Sequence, residues 1–494
     1  MNLKKEINAN SIKIMVIAFI TSLLVYFQNL TNFSISIDTE YAFFSWPNEG
    51  ILWWISLGRW GSAIIDYIFR VNAYTPGFTT LVMLALNVIT AFLLAVNTFK
   101  LLSTRIMFAI IFVSFPQFAY QAEFAQQSDT VALGQLLACI SGLILYSSIF
   151  GKDKVNIKLL FIGVLVLTFS LGIYQSLISF PVVVFLMQFI AKCNEECKKR
   201  IIKCFSIFSL AIILATSIYY IIVFLSHAIF NVTTPTYLKD TFHWLKEPVY
   251  ETLQRVSEVV ISTLTGDYYF GASIIPFMVV PVVFLSYSQV INHDKNIIKL
   301  ISILTLAISP FFVVIGLGGI QGPRVLLGLS VTFAFLFAFA IEKLKTCSKV
   351  KSTLSALICT IVVYYSASTV NMLFYSDAMA REIDSNITNR ILSQLQSKYG
   401  NFNPSTDVVS FIGAYPTYNP WKKNNSDTFG ESMFSFSGGD PRRITKYAAM
   451  ISGFSLNLHI ASNDEKEKLK LIPSWPDADS ITVMNGIYFI KLGD

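Results

Sequence analysis

The chain has 494 residues, of which 54% are hydrophobic and only 14% charged, with a formal net charge of +7 at pH 7. An ordinary soluble domain carries about 25% charged residues, so this composition excludes a soluble globular protein and fits an α-helical polytopic membrane protein. The basic excess sits in short loops between apolar runs, where it anchors spans to an anionic leaflet and does not mark a nucleic-acid partner.

In chain order, charge-free windows fall at 14–30, 71–99, 106–122, 130–151, 159–191, 204–238, 268–292, 300–323, 325–341 and 352–376. Most reach the roughly 20 residues that cross a hydrocarbon core. The window 159–191 is too long for one tilted helix and carries "SLGIYQS" at its middle. Dividing it near Gly172 to Ser176 predicts a bundle of about 11 transmembrane helices. If the N-terminus is cytoplasmic, the inner segments hold nineteen lysines and arginines and the outer loops six, the asymmetry expected of positive-inside insertion. The first span lacks a small-residue cleavage site after its apolar core and reads as an uncleaved anchor. Cys193, Cys197, Cys204 and Cys347 fall at inner edges and Cys139 and Cys359 within spans. This usage implies no disulfide framework, and the scattered histidines, His293 among them, imply no protein-only transition-metal centre.

The domain division that follows is a membrane domain, 1–376, with a first outer loop 31–74 and a second long outer loop 230–267, followed by a soluble C-terminal α/β domain, 377–494. In that tail, Ile383, Ile387, Ile391 and Leu395 recur at four-residue steps before Gly400, the pattern of an amphipathic helix. "DVVSFIGAYP" reads as a strand, and "SITVMNGIYFIKL" as two strands around Asn485-Gly486, because both turn positions need positive φ. "SFSGGDPRR" (435–443) reads as a polar loop whose Arg442 and Arg443 are solvated in a turn, the alternative being a grip on an anionic ligand.

The polar chemistry gathers on the outer side. "SISIDTEYAFFSWPNEGILWWISLGRWG" (34–61) puts Asp38 and Glu40 just after the first span and four of the seven tryptophans just behind them. One carboxylate of such a pair, partly desolvated, can take a proton from a sugar hydroxyl, and in an extended segment alternate residues point the same way. Indole faces such as those of Trp46 and Trp60 suit the C–H face of a sugar ring, and their one-sided enrichment is not what an interfacial belt on both faces gives. Glu123 and Asp129 in "QAEFAQQSDT", and Tyr174 and Gln175 in "LGIYQS", are further candidate substrate-binding residues. Arg324 in "GLGGIQGPRVLLG" is forced to the membrane edge among glycines, where a guanidinium can fork onto a phosphate. Snorkelling is the alternative account of Arg324, and Arg59 is a second candidate for the same anion. Tyr237, His243, Trp244, Tyr250 and Asp267 of the loop 230–267 are the candidates for acceptor choice.

"DTEY" followed by "ISLGRWG", then "LGIYQS" and "GPRVLLG", resemble landmarks of the integral-membrane O-antigen glucosyltransferases of serotype-converting bacteriophages and related bacterial loci, over the region to about residue 375. The resemblance implies a GT-C architecture, with the catalytic acid on the first outer loop and the C-terminal domain periplasmic. It implies glucosyl transfer from a polyprenyl-phosphate donor to O-antigen repeats of lipopolysaccharide at the periplasmic face of the bacterial inner membrane, changing serotype. It also implies two companions, one making the lipid-linked glucose and one flipping it. A phosphate diester leaves without protonation, so one base and one cation suffice and inversion is expected. No cofactor is then required, although a divalent cation bridging Asp38 or Glu40 to the phosphate remains compatible. Glu40 has the longer reach as base. Family members often have adjacent acids where this chain has Asp38-Thr39-Glu40, so the assignment within the pair stays open.

An O-antigen polymerase or ligase would also face outward, but a large loop between late spans should then dominate. A flippase or transporter would bury ionisable residues in mid-span, and the charge-free windows hold no Asp, Glu, Lys or Arg.

Overall fold

The computed structural model describes residues 9–33, 35–151, 154–192, 201–291, 297–319 and 321–493. Cys193, Cys197 and His293 lie outside the described residues, as do several of the charges used to orient the spans, among them Lys4, Lys5 and Lys152. The chain forms two compact units. One comprises 1–30 and 47–371, the other 31–46 and 372–494. The first inter-span loop, assigned from sequence to the membrane domain as a whole, is thus divided between them.

The first unit is a helical bundle. Among the described residues of the chain, eight helices are long and apolar enough to cross a membrane: Phe78–Thr98, Leu102–Ala122, Ser128–Phe150, Gln175–Lys192, Ile201–Phe230, Ala272–Gln289, Ile297–Leu317 and Ser348–Lys398. Three further expected spans coincide with shorter helices, Ala9–Val25, Ile157–Ile173 and Gly328–Lys343. At 1.5 Å per residue each covers about 25 Å, less than the ~30 Å of a hydrocarbon core. The chain is a multi-pass membrane protein in which eight helices among the described residues are long and apolar enough to span, and the eleven spans read from charge-free windows include these three shorter elements.

The division of 159–191 falls where the sequence places it. The helix Ile157–Ile173 ends at Tyr174, whose extended backbone (φ −155°, ψ 119°) turns the chain before a 3-10 turn at Gln175–Ile178 and the helix Ser179–Lys192. Gly172 and Gly61 explain the close crossing there. A Cβ on Gly172 would lie 2.5 Å from the Trp60 ring, and one on Gly61 would lie 2.8 Å from the Gly172 backbone. Such a contact admits only hydrogen at both positions. The interior is phenylalanine-rich, with Phe185 stacked on Phe208 at 3.9 Å between ring centres, inside a cluster that includes Leu145, Leu167, Phe189 and Tyr219.

The second unit holds a four-stranded sheet in the order β2-β1-β4-β3. Strand β1 is Val408–Ile412, β2 Asn457–Leu458, β3 Ile481–Met484 and β4 Ile487–Lys491. β1 pairs in parallel with both β2 and β4, and β3 and β4 form the antiparallel hairpin expected at Asn485-Gly486, where both residues have positive φ. Ile387, Ile391, Leu392 and Leu395, on the last turns of Ser348–Lys398, pack on Val409, Phe411, Ile490 and Trp475. The four-residue step read from the sequence is therefore the core face of that helix, which runs 51 residues without a break.

Residues 31–46 are built into this unit. Ile35 and Ile37 pack on Met433 and Tyr447. Ser36 donates to the Asp377 carboxylate at 2.6 Å, and Arg381 donates to the Phe33 carbonyl at 2.8 Å. Asp384 accepts from the Ser432 hydroxyl and from the Met433 amide, fixing the strip that Ile35 and Ile37 rest on.

Candidate active site

Asp38 and Glu40 enter the second unit on one turn of chain. Asp38 takes a left-handed conformation (φ 75°, ψ −10°), which an aspartate tolerates, and the helix Thr39–Ser45 follows with Glu40 in its first turn. This corrects the extended arrangement expected for the D-x-E pair: the two carboxylates are brought together by a shared partner and not by strand alternation. That partner is Arg443. One terminal nitrogen of its guanidinium donates to Glu40 Oε1 and the other to Asp38 Oδ1, the latter at 2.8 Å.

Arg443 lies in the first turn of the helix Pro441–Ser452, whose start is fixed by Asp440 accepting from the Arg442 amide and by proline at the first helical position. The Tyr41 and Phe436 rings lie 4.8 and 5.4 Å from the guanidinium carbon. The solvated turn expected at 435–443 is thus overturned for Arg443, which is 16% exposed and gripped by two carboxylates. Asp440-Pro441 is a helix-start signature that was available in the sequence; the pairing across the chain had no local signal.

Glu40 is fully buried as a side chain, whereas the Asp38 carboxylate is 45% exposed. Burial pushes the Glu40 carboxyl up to about 7; Arg443 opposes the rise and the Asp38 charge adds to it. Its second oxygen, Oε2, is buried and has no hydrogen-bond partner among the described residues. Trp46 ends the same short helix and belongs to this unit.

The remaining candidates belong to the bundle. Arg59 donates to Gln127 Oε1 at 2.6 Å and lies over the Tyr174 ring at 4.7 Å and the Trp54 ring at 5.6 Å. Its Nε is buried with no partner among the described residues. Burial, and then the nearby Arg324 charge, act to lower the Arg59 pKa against the pull of neighbouring tyrosines. Arg324 sits in the 3-10 turn Pro323–Val325 with its guanidinium 4.6 Å from the centre of the Phe124 ring. Gln117 and Tyr268 hold this glycine-rich turn by donating to the Pro323 and Gln321 carbonyls. Glu123 is buried at the end of the short helix Ala119–Ala122.

Asp129, Gln175 and Trp60 are engaged in the scaffold. Arg70 donates to Asp129 and pairs with Asp66 at 2.9 Å, and Asp66 also accepts the Trp54 indole N–H at 2.8 Å. Gln175 donates to the Leu57 carbonyl at 2.6 Å and the Tyr219 hydroxyl at 2.9 Å. Trp60 packs edge-on against Phe169 at 5.7 Å and against Gly172. In the loop 230–267, Tyr237 stacks on Trp53, Trp244 donates to the Ile315 carbonyl, and Glu247 pairs with His243 and Arg255. Among the described residues no group of three or more His, Cys, Asp or Glu is placed to hold a metal ion.

A multi-pass helical membrane protein with two carboxylates on one arginine, one of them fully buried, fits a membrane enzyme. The chain belongs to the glucosyl transferase GtrII family, which matches residues 26–320. Membership makes it a glycosyltransferase, with a sugar donor and an acceptor as substrates. "DTEY", "ISLGRWG" and "LGIYQS" lie within the matched region; Arg324 and Arg443 lie beyond it. No curated protein matches the chain.

Proposed function

We propose that this glucosyltransferase moves a glucosyl group from a polyprenyl-phosphate donor to a hydroxyl of lipid-linked O-antigen at the periplasmic face of the bacterial inner membrane, with inversion. The observation that carries the chemistry is Glu40: one oxygen is held by Arg443, and the other is buried without a partner among the described residues. That second oxygen is the proton acceptor. The acceptor hydroxyl forms a bond to the anomeric carbon as its proton passes to Glu40 Oε2, and the bond from that carbon to the donor phosphate breaks with its electron pair on the phosphate.

The departing phosphate carries its charge without needing a proton, so it needs cations. Arg324 and Arg59 supply them in this reading, supported by the nearness of the two charges and by the spare buried N–H of Arg59. Two guanidinium groups that repel each other are relieved by a bound anion. Trp46, Trp60, Glu123, Asp129, Tyr174 and Gln175 remain the proposed lining, of which Trp60, Asp129 and Gln175 act through the scaffold contacts described above. The positive charge beside the acid pair comes from the chain itself, which supports a reaction with no required cofactor.

Mass spectrometry of the host polysaccharide with and without the protein tests this reading. A hexose added per repeat unit is expected, lost in Glu40→Gln. An unchanged polysaccharide, with label moved across the membrane but still on its lipid, would make the chain a flippase.

A further inference from the structure

The sequence offers Arg443 as a turn residue, and the family match ends more than a hundred residues before it. Its surroundings are those of a positioning group. Its planar fork spans two carboxylates, it is flanked by Tyr41 and Phe436, and it sits on a helix whose first turn is capped. Glu40 and Asp38 would repel each other without a cation between them, and a buried carboxylate without its partner turns toward whatever donor or water it can reach. With Oε1 tied down, one lone pair set of Glu40 is spent and Oε2 is the atom left to react.

We propose that Arg443 is the positioning residue of the transfer reaction: it holds Glu40 and Asp38 in one register so that Glu40 Oε2 is presented as the proton-accepting atom. This rests on the reading of Glu40 as the base. It makes the C-terminal unit a working part of the catalytic centre, not an accessory to it.

Arg443 also sets when the base is available. Among the described residues, the charged and titratable groups about Glu40 are Arg443 and Asp38, with Tyr41 on its own helix and Tyr447 on the helix of Arg443; Asp440, Arg442 and Lys446 face Tyr41, and Asp377, Asp384 and Arg381 face Tyr447. Of these, Arg443 is what lowers the Glu40 carboxyl against burial. Replacing it with a neutral side chain therefore moves ionisation of Glu40 to higher pH, so a reaction that needs the carboxylate is lost at neutral pH and returns on the alkaline side.

The test is the pH profile of kcat/KM for full-length Arg443→Gln, Arg443→Lys and Glu40→Gln in membrane vesicles, with polyprenyl-phosphate glucose as donor and the host's lipid-linked glycan as acceptor. Arg443→Gln is expected to fall about ten- to a hundred-fold at neutral pH, the worth of lost charge-assisted hydrogen bonds, with its acidic limb displaced upward. Arg443→Lys keeps the charge and recovers part of the rate with a smaller displacement; it also serves if the glutamine variant fails to fold. A loss of the same factor at every pH, or an unchanged profile in both arginine variants while Glu40→Gln is inactive, overturns the role of Arg443 alone. A fully active Glu40→Gln overturns the base assignment and this proposal with it.

Discussion

The Arg59 guanidinium lies 4.7 Å from the centre of the Tyr174 ring, on residues from two different helix ends of the bundle. A cation over a ring face is held electrostatically but keeps its N–H edge for other partners, and Gln127 takes one of these. This leaves Arg59 placed yet still able to donate. Arg59→Lys should lower kcat/KM by about tenfold or more, because a point charge loses the fork. Arg324→Lys should do the same at normal protein levels. Donor titration in single-turnover assays checks both, and wild-type donor affinity in the two variants would reduce the arginines to packing and snorkelling.

The pH optimum should reflect Glu40. Burial raises its carboxyl from the ordinary glutamate range to about 7, so activity is expected to rise with pH through the neutral range. Asp38 contributes to that rise by its charge. Asp38→Asn should therefore shift the acidic limb to lower pH, opposite in sign to Arg443→Gln. The sign for stability runs the other way from activity. Folding favours the protonated carboxyl, so this contribution is full below the ordinary glutamate range and is lost as pH rises through about 7.

Trp60 should matter for folding more than for sugar binding. Gly172→Ala drives a Cβ to within 2.5 Å of its ring, and Gly61→Ala meets backbone at 2.8 Å. Overpacking of this kind costs about 1–3 kcal/mol. Both variants should unfold at lower temperature in detergent. An unaffected melting temperature together with a raised acceptor KM would return Trp60 to the binding surface.

Asp129 should behave as a structural acid. It shares Arg70 with Asp66, and Asp66 also holds the Trp54 indole. Breaking a buried pair by removing one partner costs about 3–5 kcal/mol, and less where a member is partly exposed, as Asp129 is. Asp66→Asn should thus lower yield of folded protein more than Asp129→Asn, with donor KM in surviving protein unchanged. Size-exclusion profiles and single-turnover rates separate the two effects.

The charge asymmetry of the loops predicts an outer C-terminus. A C-terminal phosphatase reporter should be active and a fluorescent reporter at the same point dark. The reverse result would move the acid pair to the cytoplasm and remove the basis for a periplasmic reaction.

What the sequence could and could not foretell divides by range. The Asn485-Gly486 hairpin, strand β1, the break at Gly172 to Ser176 and the core stripe Ile387 to Leu395 are each encoded within a few residues, by positive-φ turn chemistry or by periodicity. Strand β2 has two residues and no pattern to read. The joining of Asp38 and Glu40 to Arg443 depends on folding together segments from opposite ends of the chain, and charge spacing within one loop holds no record of that. The same limit hid the union of residues 31–46 with the tail. Trp60 shows a related limit, since a tryptophan in an aromatic loop looks alike in sequence whether it awaits a ligand or presses on Gly172.

The 403-residue separation of Glu40 from Arg443 has a temporal meaning. At about 5–20 residues per second, on the order of twenty to eighty seconds pass between synthesis of the acid and synthesis of the arginine. Throughout that interval the carboxylate lacks Arg443, and the short segment around it lacks the surface formed by Met433 and Tyr447. Nascent chains stalled before residue 443 therefore lack this pairing, which is completed as one of the last acts of biogenesis.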